Sequence, residues 1–342
     1  LGLANHPHLK EAARKAISEF GTSASASRLI SGNNILYKKL EEAISQFKKT
    51  QSALIFTSGY TANLGVIPAL FGKGDFIFSD KLNHASIVDG AILSRAGLKR
   101  YPHKDILKLG EFLKENHRPE ARKLIVTDSL FSMDGDVAPL GELEGLSKKY
   151  GAFFKVDEAH ATGVFGETGS GVLEKLGINN QDIIQMGTFS KSLGSLGGFI
   201  AARKEIIEYL INKSRSLIFT TALPPAVLAS SLAALELIKD GTLRRMLWDN
   251  VIFFKKGLKE IGFNLGNSES QIIPLILKDP ALAVRFSEGL FKEGVFASAV
   301  RPPAVPPGTS RLRITIMATH KKDELEFGLD KIKKVGKLLG VV

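Results

Sequence analysis

Two stretches of the chain carry side chains whose types and spacing suit chemistry on a carbonyl compound. KVDEAHATG places Asp157 and His160 just past a buried apolar run, and GTFSKSLGSLGG places Thr188, Ser190 and Lys191 just past a later one. A lysine ε-amine in such a setting could form a Schiff base, and a buried carboxylate could hold a pyridine nitrogen protonated, making the ring an electron sink. Lys191 and Asp157 have those two roles open to them. Thr188, Ser190 and the backbone N–H groups around Gly59 in TSGYTAN could hold a phosphate, because a strand-to-helix turn points donors at an anion. Tyr60 or His84 could stack on the ring face. Taken singly, Lys191 reads as a surface lysine and His84 as a hydrogen-bonded structural histidine, so the signal lies in their joint placement. The DEAH run also occurs as an acidic nucleotide-site box, but that reading needs a GxxxxGK[ST] loop, which the sequence lacks.

For these residues to meet, strands must deliver them. Leu36, Leu40, Ile44 and Phe47 recur at helical spacing, 52–57 (SALIFT) is a short buried-strand run, and 84–96 is a helix candidate. The alternation predicts a parallel sheet, continued by strands at 123–128, 153–157, 183–187 and 198–201 with helices at 140–150 and 204–214. In open α/β sheets ligands collect at the carboxyl ends of strands, so the residues could converge on one crevice. From Pro225 two long helical patterns run to Gly262. Strand-like IIPLIL, a helix at 280–293, strand-like VFASAV and RLRITIM and a helix from Lys321 then predict a compact α+β domain. The Pro-rich RPPAVPPG loop (301–308) cannot continue the strand before it. A chain of 342 residues is long for one domain, which predicts a large domain over 1–240 and a smaller one over 241–342.

Hydrophobic residues at 44% and charged residues at 24% are ordinary globular values, which excludes disordered and fibrous classes. Apolar stretches such as 272–277 fall far short of the roughly 20 residues a membrane-spanning helix needs. The absence of cysteine removes disulfides and thiolate metal sites and suits a reducing cytosol; no metal is expected. The net charge of +11 is spread among apolar helix positions, as in 37–49, instead of forming blocks. It reads as steering anionic substrates, and nucleic acid is not expected as a partner. The chain opens on LGLANHPHLKEAARKAI without a methionine, and an N-terminal segment is expected to be missing.

With these residues in hand, the chain resembles the α-oxoamine synthases, pyridoxal-phosphate enzymes of fold type I that condense an amino acid with an acyl thioester and lose CO2. The stretches that carry the likeness are SRLISGN (27–33), SGYTAN (58–63), NHASIVDGAILSRA (83–96), FSMDGDVAPL (131–140), VDEAHATGVFGETG (156–169), GTFSKSLGSLGG (187–198), TTALPP (220–225) and RPPAVPPGTSRLRIT (301–315). The resemblance implies a large domain with a mostly parallel seven-stranded sheet flanked by helices, plus a smaller C-terminal α+β domain. It also implies a homodimer with shared active sites, which the cysteine-free composition would place in the cytoplasm. IVDGAILSRA and RPPAVPPGTSRLRIT look like the branch that joins L-alanine to a pimeloyl thioester, on CoA or acyl carrier protein, to give a biotin precursor. The alternative branch is glycine C-acetyltransferase. From another class, a non-catalytic regulatory subunit on the same fold is disfavoured by the presence of Lys191.

Carried over by position, the resemblance implies that Lys191 bears pyridoxal 5'-phosphate, that Asp157 pairs with its pyridine nitrogen and that His84 stacks on the ring. Ser132 and His160 would contact the phenolic-oxygen side, with Gly59, Tyr60, Thr188 and Ser190 around the phosphate. Thr220 or Thr221 would reach the cofactor of the neighbouring subunit, and Arg313, helped by Arg301, would hold the amino-acid carboxylate. The chain departs from the family pattern in three places. A family histidine is Tyr37, a Gly-rich run reads TSASAS, and the usual threonine of the proline loop is Ala304, beside the expected substrate.

Overall fold

The computed structural model describes residues 1–116 and 118–342, which form two compact units: Gly2–Leu130 with Ala138–Gly241, and Leu1 and Phe131–Val137 with Thr242–Val342.

In the first unit the strands are β1 (Ser52–Phe56), β2 (Phe76–Asp80), β3 (Gly97–Tyr101), β4 (Lys123–Asp128), β5 (Phe153–Asp157), β6 (Ile183–Thr188) and β7 (Gly198–Ala202). The helices are α1 (Pro7–Phe20), α2 (Ile35–Phe47), α3 (Gly59–Leu70), α4 (Ala85–Ser94), α5 (Ile106–Glu115), α6 (Leu140–Tyr150), α7 (Val172–Lys175), α8 (Lys204–Lys213), α9 (Arg215–Ile218) and α10 (Pro225–Ile238). Among the described residues the strands form one seven-stranded sheet in the order β1-β7-β6-β5-β4-β2-β3. The pairs β2/β3, β2/β4, β4/β5 and β5/β6 are parallel. The expected fold type I architecture is therefore borne out.

One strand departs from the simple parallel expectation. β7 runs antiparallel to both β6 and β1, because the 189–197 connection holds no crossover helix and must turn the chain straight back. Two strands, β2 and β3, were not legible in the apolar pattern. GLKRY of β3 is an edge strand, and an edge needs no continuous apolar run.

Helices on both faces explain why β4 and β6 are buried at every position. One cluster packs Leu54, Phe56, Val66, Met186, Ile200 and Leu210, and another packs Ile67, Phe71, Ile77, Ile87, Leu124 and Val126. α3 starts on a capping box in which Ser58 Oγ accepts from Thr61 N–H at 3.1 Å and Thr61 Oγ1 accepts from Ser58 N–H at 2.9 Å. Asn34 and Asp105 are simpler N-caps, accepting from Leu36 N–H at the head of α2 and from Lys108 N–H at the head of α5.

In the second unit, α11 (Thr242–Ile261), α12 (Pro280–Lys292) and α13 (Lys322–Leu338) accompany a sheet of β8 (Ile272–Lys278), β9 (Ser298–Val300) and β10 (Ser310–Thr315), ordered β8-β10-β9. Pro274 is tolerated because β8 lies at an edge. The VFASAV run pairs only over its last three residues, and the Pro-rich loop separates it from β10.

Candidate active site

The carboxyl ends of β1 and β6 meet the amino end of β7. At the start of α3, Thr61 and Ala62 donate their N–H groups to Ser58, and those of Gly59 and Tyr60 belong to the first turn, where a helix has no internal acceptor for them. A Cβ on Gly59 would lie 2.7 Å from Met186 Cε and 3.5 Å from Thr188 Cβ, so Gly59 and Thr188 are direct neighbours. A Cβ on Gly198 would lie 2.6 Å from both Gly59 N and Ser58 O, so only glycine lets β7 approach this helix start. Thr188 Oγ1 donates to Gly197 O at 2.6 Å and accepts from Ser190 N–H at 3.1 Å, which folds the turn that presents Ser190 and Lys191. Both of those side chains are exposed. Ser192 Oγ donates to Thr162 O at 2.5 Å, tying the lysine turn to the connection that follows β5 and carries half-buried His160.

Next to this lies a buried polar network. Asp157, 4% exposed, accepts from Ala159 N–H at 3.0 Å on Oδ1 and from Asn63 Nδ2 at 2.8 Å on Oδ2. Asn63 also donates to Ser86 Oγ at 2.8 Å and accepts from the Nζ of fully buried Lys155. Ser86 Oγ stands 2.8 Å from His84 Nδ1, and Ser86 N–H donates to the same nitrogen at 3.2 Å, so His84 caps α4. His84 N–H donates to Asp128 Oδ2 at 2.8 Å. Asp128 is opposite Asp157 in the β4/β5 register.

Burial, and then the neighbouring Asp157 charge, push the Asp128 carboxyl well above the usual range. Partial burial lowers His84, with Asp157 opposing. Tyr60 donates to Asp89 and meets the His84 ring edge-on at 6.5 Å, which leaves the two as an aromatic corner beside the Gly59 turn.

Asn63, Ser86, Asp128 and Lys155 were not singled out from the sequence, although a lysine between Phe154 and Val156 in a buried strand was a usable signal. Glu158 of the DEAH run is also structural: fully buried, it accepts from Val172 N–H and Leu173 N–H, each at 3.0 Å, and from Ser129 Oγ at 3.1 Å.

Thr220 and Thr221 lie on the segment between α9 and α10, where Thr221 bridges to Ser27 and Ala222 N–H donates to Ala26 O. Tyr37, at the position of the family histidine, accepts Leu223 N–H at 2.6 Å and is covered by Arg28 at 4.0 Å from its ring centroid.

In the second unit Arg313 Nε donates to Ser132 O at 2.7 Å, and Arg311 Nη1 donates to Met133 O at 3.0 Å and pairs with Asp134 at 2.6 Å. Ser132 and Arg313 are thus brought together, whereas Arg301 and Ala304 are exposed on the Pro-rich loop.

Among the described residues no group of three or more acidic or histidine side chains is placed to hold a metal ion, and no helix is long and apolar enough to cross a membrane.

Relatives of known type match the whole length of this chain. The chain is 51% identical over 344 residues to 8-amino-7-oxononanoate synthase of Geotalea daltonii, covering all of this chain and 88% of that protein. It is 52% identical over 345 residues to the enzyme of that name from Geobacter metallireducens, with the same coverage. Among solved structures, Sphingomonas wittichii serine palmitoyltransferase superposes with a TM-score of 0.96 at 39% identity, covering 100% of this chain and 86% of that one. The 8-amino-7-oxononanoate synthase of Francisella tularensis superposes with a TM-score of 0.84 at 29% identity, covering 98% and 95%. These likenesses bear out the resemblance drawn from the motifs. The profile of aminotransferase class I and II matches residues 1–332, and with relatives of this identity along its whole length, the chain belongs to that family.

Proposed function

We propose that this protein is a pyridoxal-phosphate-dependent acyltransferase that condenses L-alanine with a pimeloyl thioester, releasing CO2 and the thiol carrier and giving 8-amino-7-oxononanoate for biotin synthesis. The observation that carries the reading is the convergence, at the ends of adjacent strands, of the Gly59–Thr188 corner, the Lys191 turn and the Asp157 network, in a chain about half identical to relatives of that name.

The donor set fits the cofactor. Gly59 and Tyr60 N–H groups, Thr188 and Ser190 would hold its phosphate at a helix start that favours an anion. Lys191 would tether it, Asp157 would keep a proton on its pyridine nitrogen, His84 would stack on the ring, and Ser132 and His160 would stand on the phenolic-oxygen side. When bound, the cofactor supplies an electron sink for charge developing at the substrate α-carbon. Lys191 takes the proton from that carbon and returns one to the product. Arg313, assisted by Arg301, holds the amino-acid carboxylate, with Ala304 beside the substrate. Thr220 or Thr221 serves the partner subunit's cofactor in a cytoplasmic homodimer. Residues 1–240 act as the cofactor-binding large domain and 241–342 as the small domain.

The test is to record the absorption spectrum with pyridoxal phosphate and follow thiol release with L-alanine, glycine or L-serine against pimeloyl-, acetyl- and palmitoyl-CoA and pimeloyl acyl carrier protein. Turnover with alanine and a pimeloyl thioester is expected. Turnover confined to glycine with acetyl-CoA, or to serine with palmitoyl-CoA, would replace the assignment. Lys191→Ala should abolish condensation, and a variant with wild-type turnover would remove that lysine from the chemistry.

A further inference from the structure

Lys155 is a charged side chain with no place in the mechanism above, and it has no exposure at all in the middle of β5. Side chains two apart on a strand share a face, so Lys155 and Asp157 lie on the same side of the sheet, under α3. An ammonium has donors only, so the Asn63 amide is oriented without ambiguity: its oxygen faces Lys155 and its NH2 faces Asp157 Oδ2 and Ser86 Oγ. Lys155 thereby polarises the amide that donates to Asp157.

Both oxygens of Asp157 accept hydrogen bonds, the arrangement that favours a carboxylate. Asp128, next to it across the β4/β5 register, receives His84 N–H on one oxygen. Two adjacent buried carboxyls share their charge unevenly, and something must decide which one carries it.

We propose that Lys155 is a positioning residue which, acting through Asn63, makes Asp157 the charged member of the buried Asp128–Asp157 pair. The inference rests on the proposed role of Asp157 toward the pyridine nitrogen. The other titratable groups coupled to this pair are His84 at the head of α4, Lys48 just beyond α2 and Lys191 in the β6–β7 turn. Lys48 donates to Thr162 Oγ1 and Ser170 O, and so is committed elsewhere. Burial pushes Lys155 itself down, and Asp157 followed by Asp128 holds it up, as the coupling requires.

The experiment measures pyridoxal-phosphate affinity by equilibrium dialysis between about pH 6 and about pH 8 for the wild type, Lys155→Met, Lys155→Met/Asp128→Asn and Asp157→Asn. Without Lys155 the proton can move to Asp157 as the pH falls, so Lys155→Met should lose about tenfold or more in affinity across that window while the wild type stays nearly flat. Removing the competing carboxyl with Asp128→Asn should flatten the profile again, which a merely structural lysine would not do. A Lys155→Met profile parallel to the wild type overturns the inference when Asp157→Asn weakens binding. If Asp157→Asn has no effect, the underlying reading of the site fails instead. Should Lys155→Met not fold, a folded double variant with a flat profile supports the inference, and a double variant that stays unfolded or slopes overturns it.

Discussion

Gly198→Ala puts a methyl where the β7 backbone touches the start of α3. The added Cβ would stand 2.6 Å from Gly59 N, 2.6 Å from Ser58 O and 2.7 Å from Gly59 Cα, against an optimal separation of about 3.5 Å or more. Close to 1 Å must therefore be found. β7 cannot supply it easily, because it is paired on both sides, Gly198 to Phe56 and to Thr188. The yielding element is the Ser58–Gly59 turn. Overpacking of this kind costs about 1–3 kcal/mol, and weakening the Ser58 cap adds about 1 kcal/mol, so urea unfolding of the cofactor-free protein should show a loss of about 2–4 kcal/mol. The same shift moves the Gly59 and Tyr60 N–H groups off a bound phosphate. Loss of one charge-assisted hydrogen bond, about 1.5–3 kcal/mol, weakens pyridoxal-phosphate binding by about ten- to a hundredfold. Fluorescence titration with the cofactor gives the second number. A Gly198→Ala protein with wild-type stability and affinity within about twofold would refute the tight approach of β7 to α3 and its role in phosphate binding.

Glu158→Gln replaces a carboxylate whose two oxygens accept from Val172, Leu173 and Ser129 with an amide that has only one acceptor oxygen, so a buried N–H loses its partner. Chemical denaturation should register about 1–3 kcal/mol, and a change below about 0.5 kcal/mol would contradict the assigned role. Burial, and then neighbouring Lys259, bring Lys255 from the usual 10.5 down to about 8. The folded protein then releases this proton before the unfolded chain does, so stability should rise as pH climbs from about 8 to about 10.5. Lys255→Met should flatten that rise in thermal midpoint; an unchanged slope would assign it to other groups.

The legible parts of the fold were those where burial on both faces forces a continuous apolar run. LIVT in β4 and IIQM in β6 are examples, each followed by a polar or glycine residue. β3 escaped notice because an edge strand tolerates Lys99 and Arg100. Asp157, Lys191, Thr188 and Gly59 were legible as candidates because each stands at or just past the end of such a strand. Asn63 was not, since its partners Asp157 and Ser86 are 94 and 23 residues away along the chain. Tyr37 departs from the family pattern, and only the structure shows that its hydroxyl accepts the backbone N–H of Leu223.

By itself, then, the sequence determined which residues could do chemistry and which strands would carry them, because side-chain type and apolar periodicity are local properties. Tertiary structure decided the rest. Only packing turns β7 back against its neighbours, brings Gly198 onto the head of α3, makes Glu158 a structural cap instead of a reactive carboxylate, and sets Lys155 and Asn63 behind Asp157. Each depends on a contact between distant parts of the chain, where close packing and the cost of an unpaired buried charge select the partner.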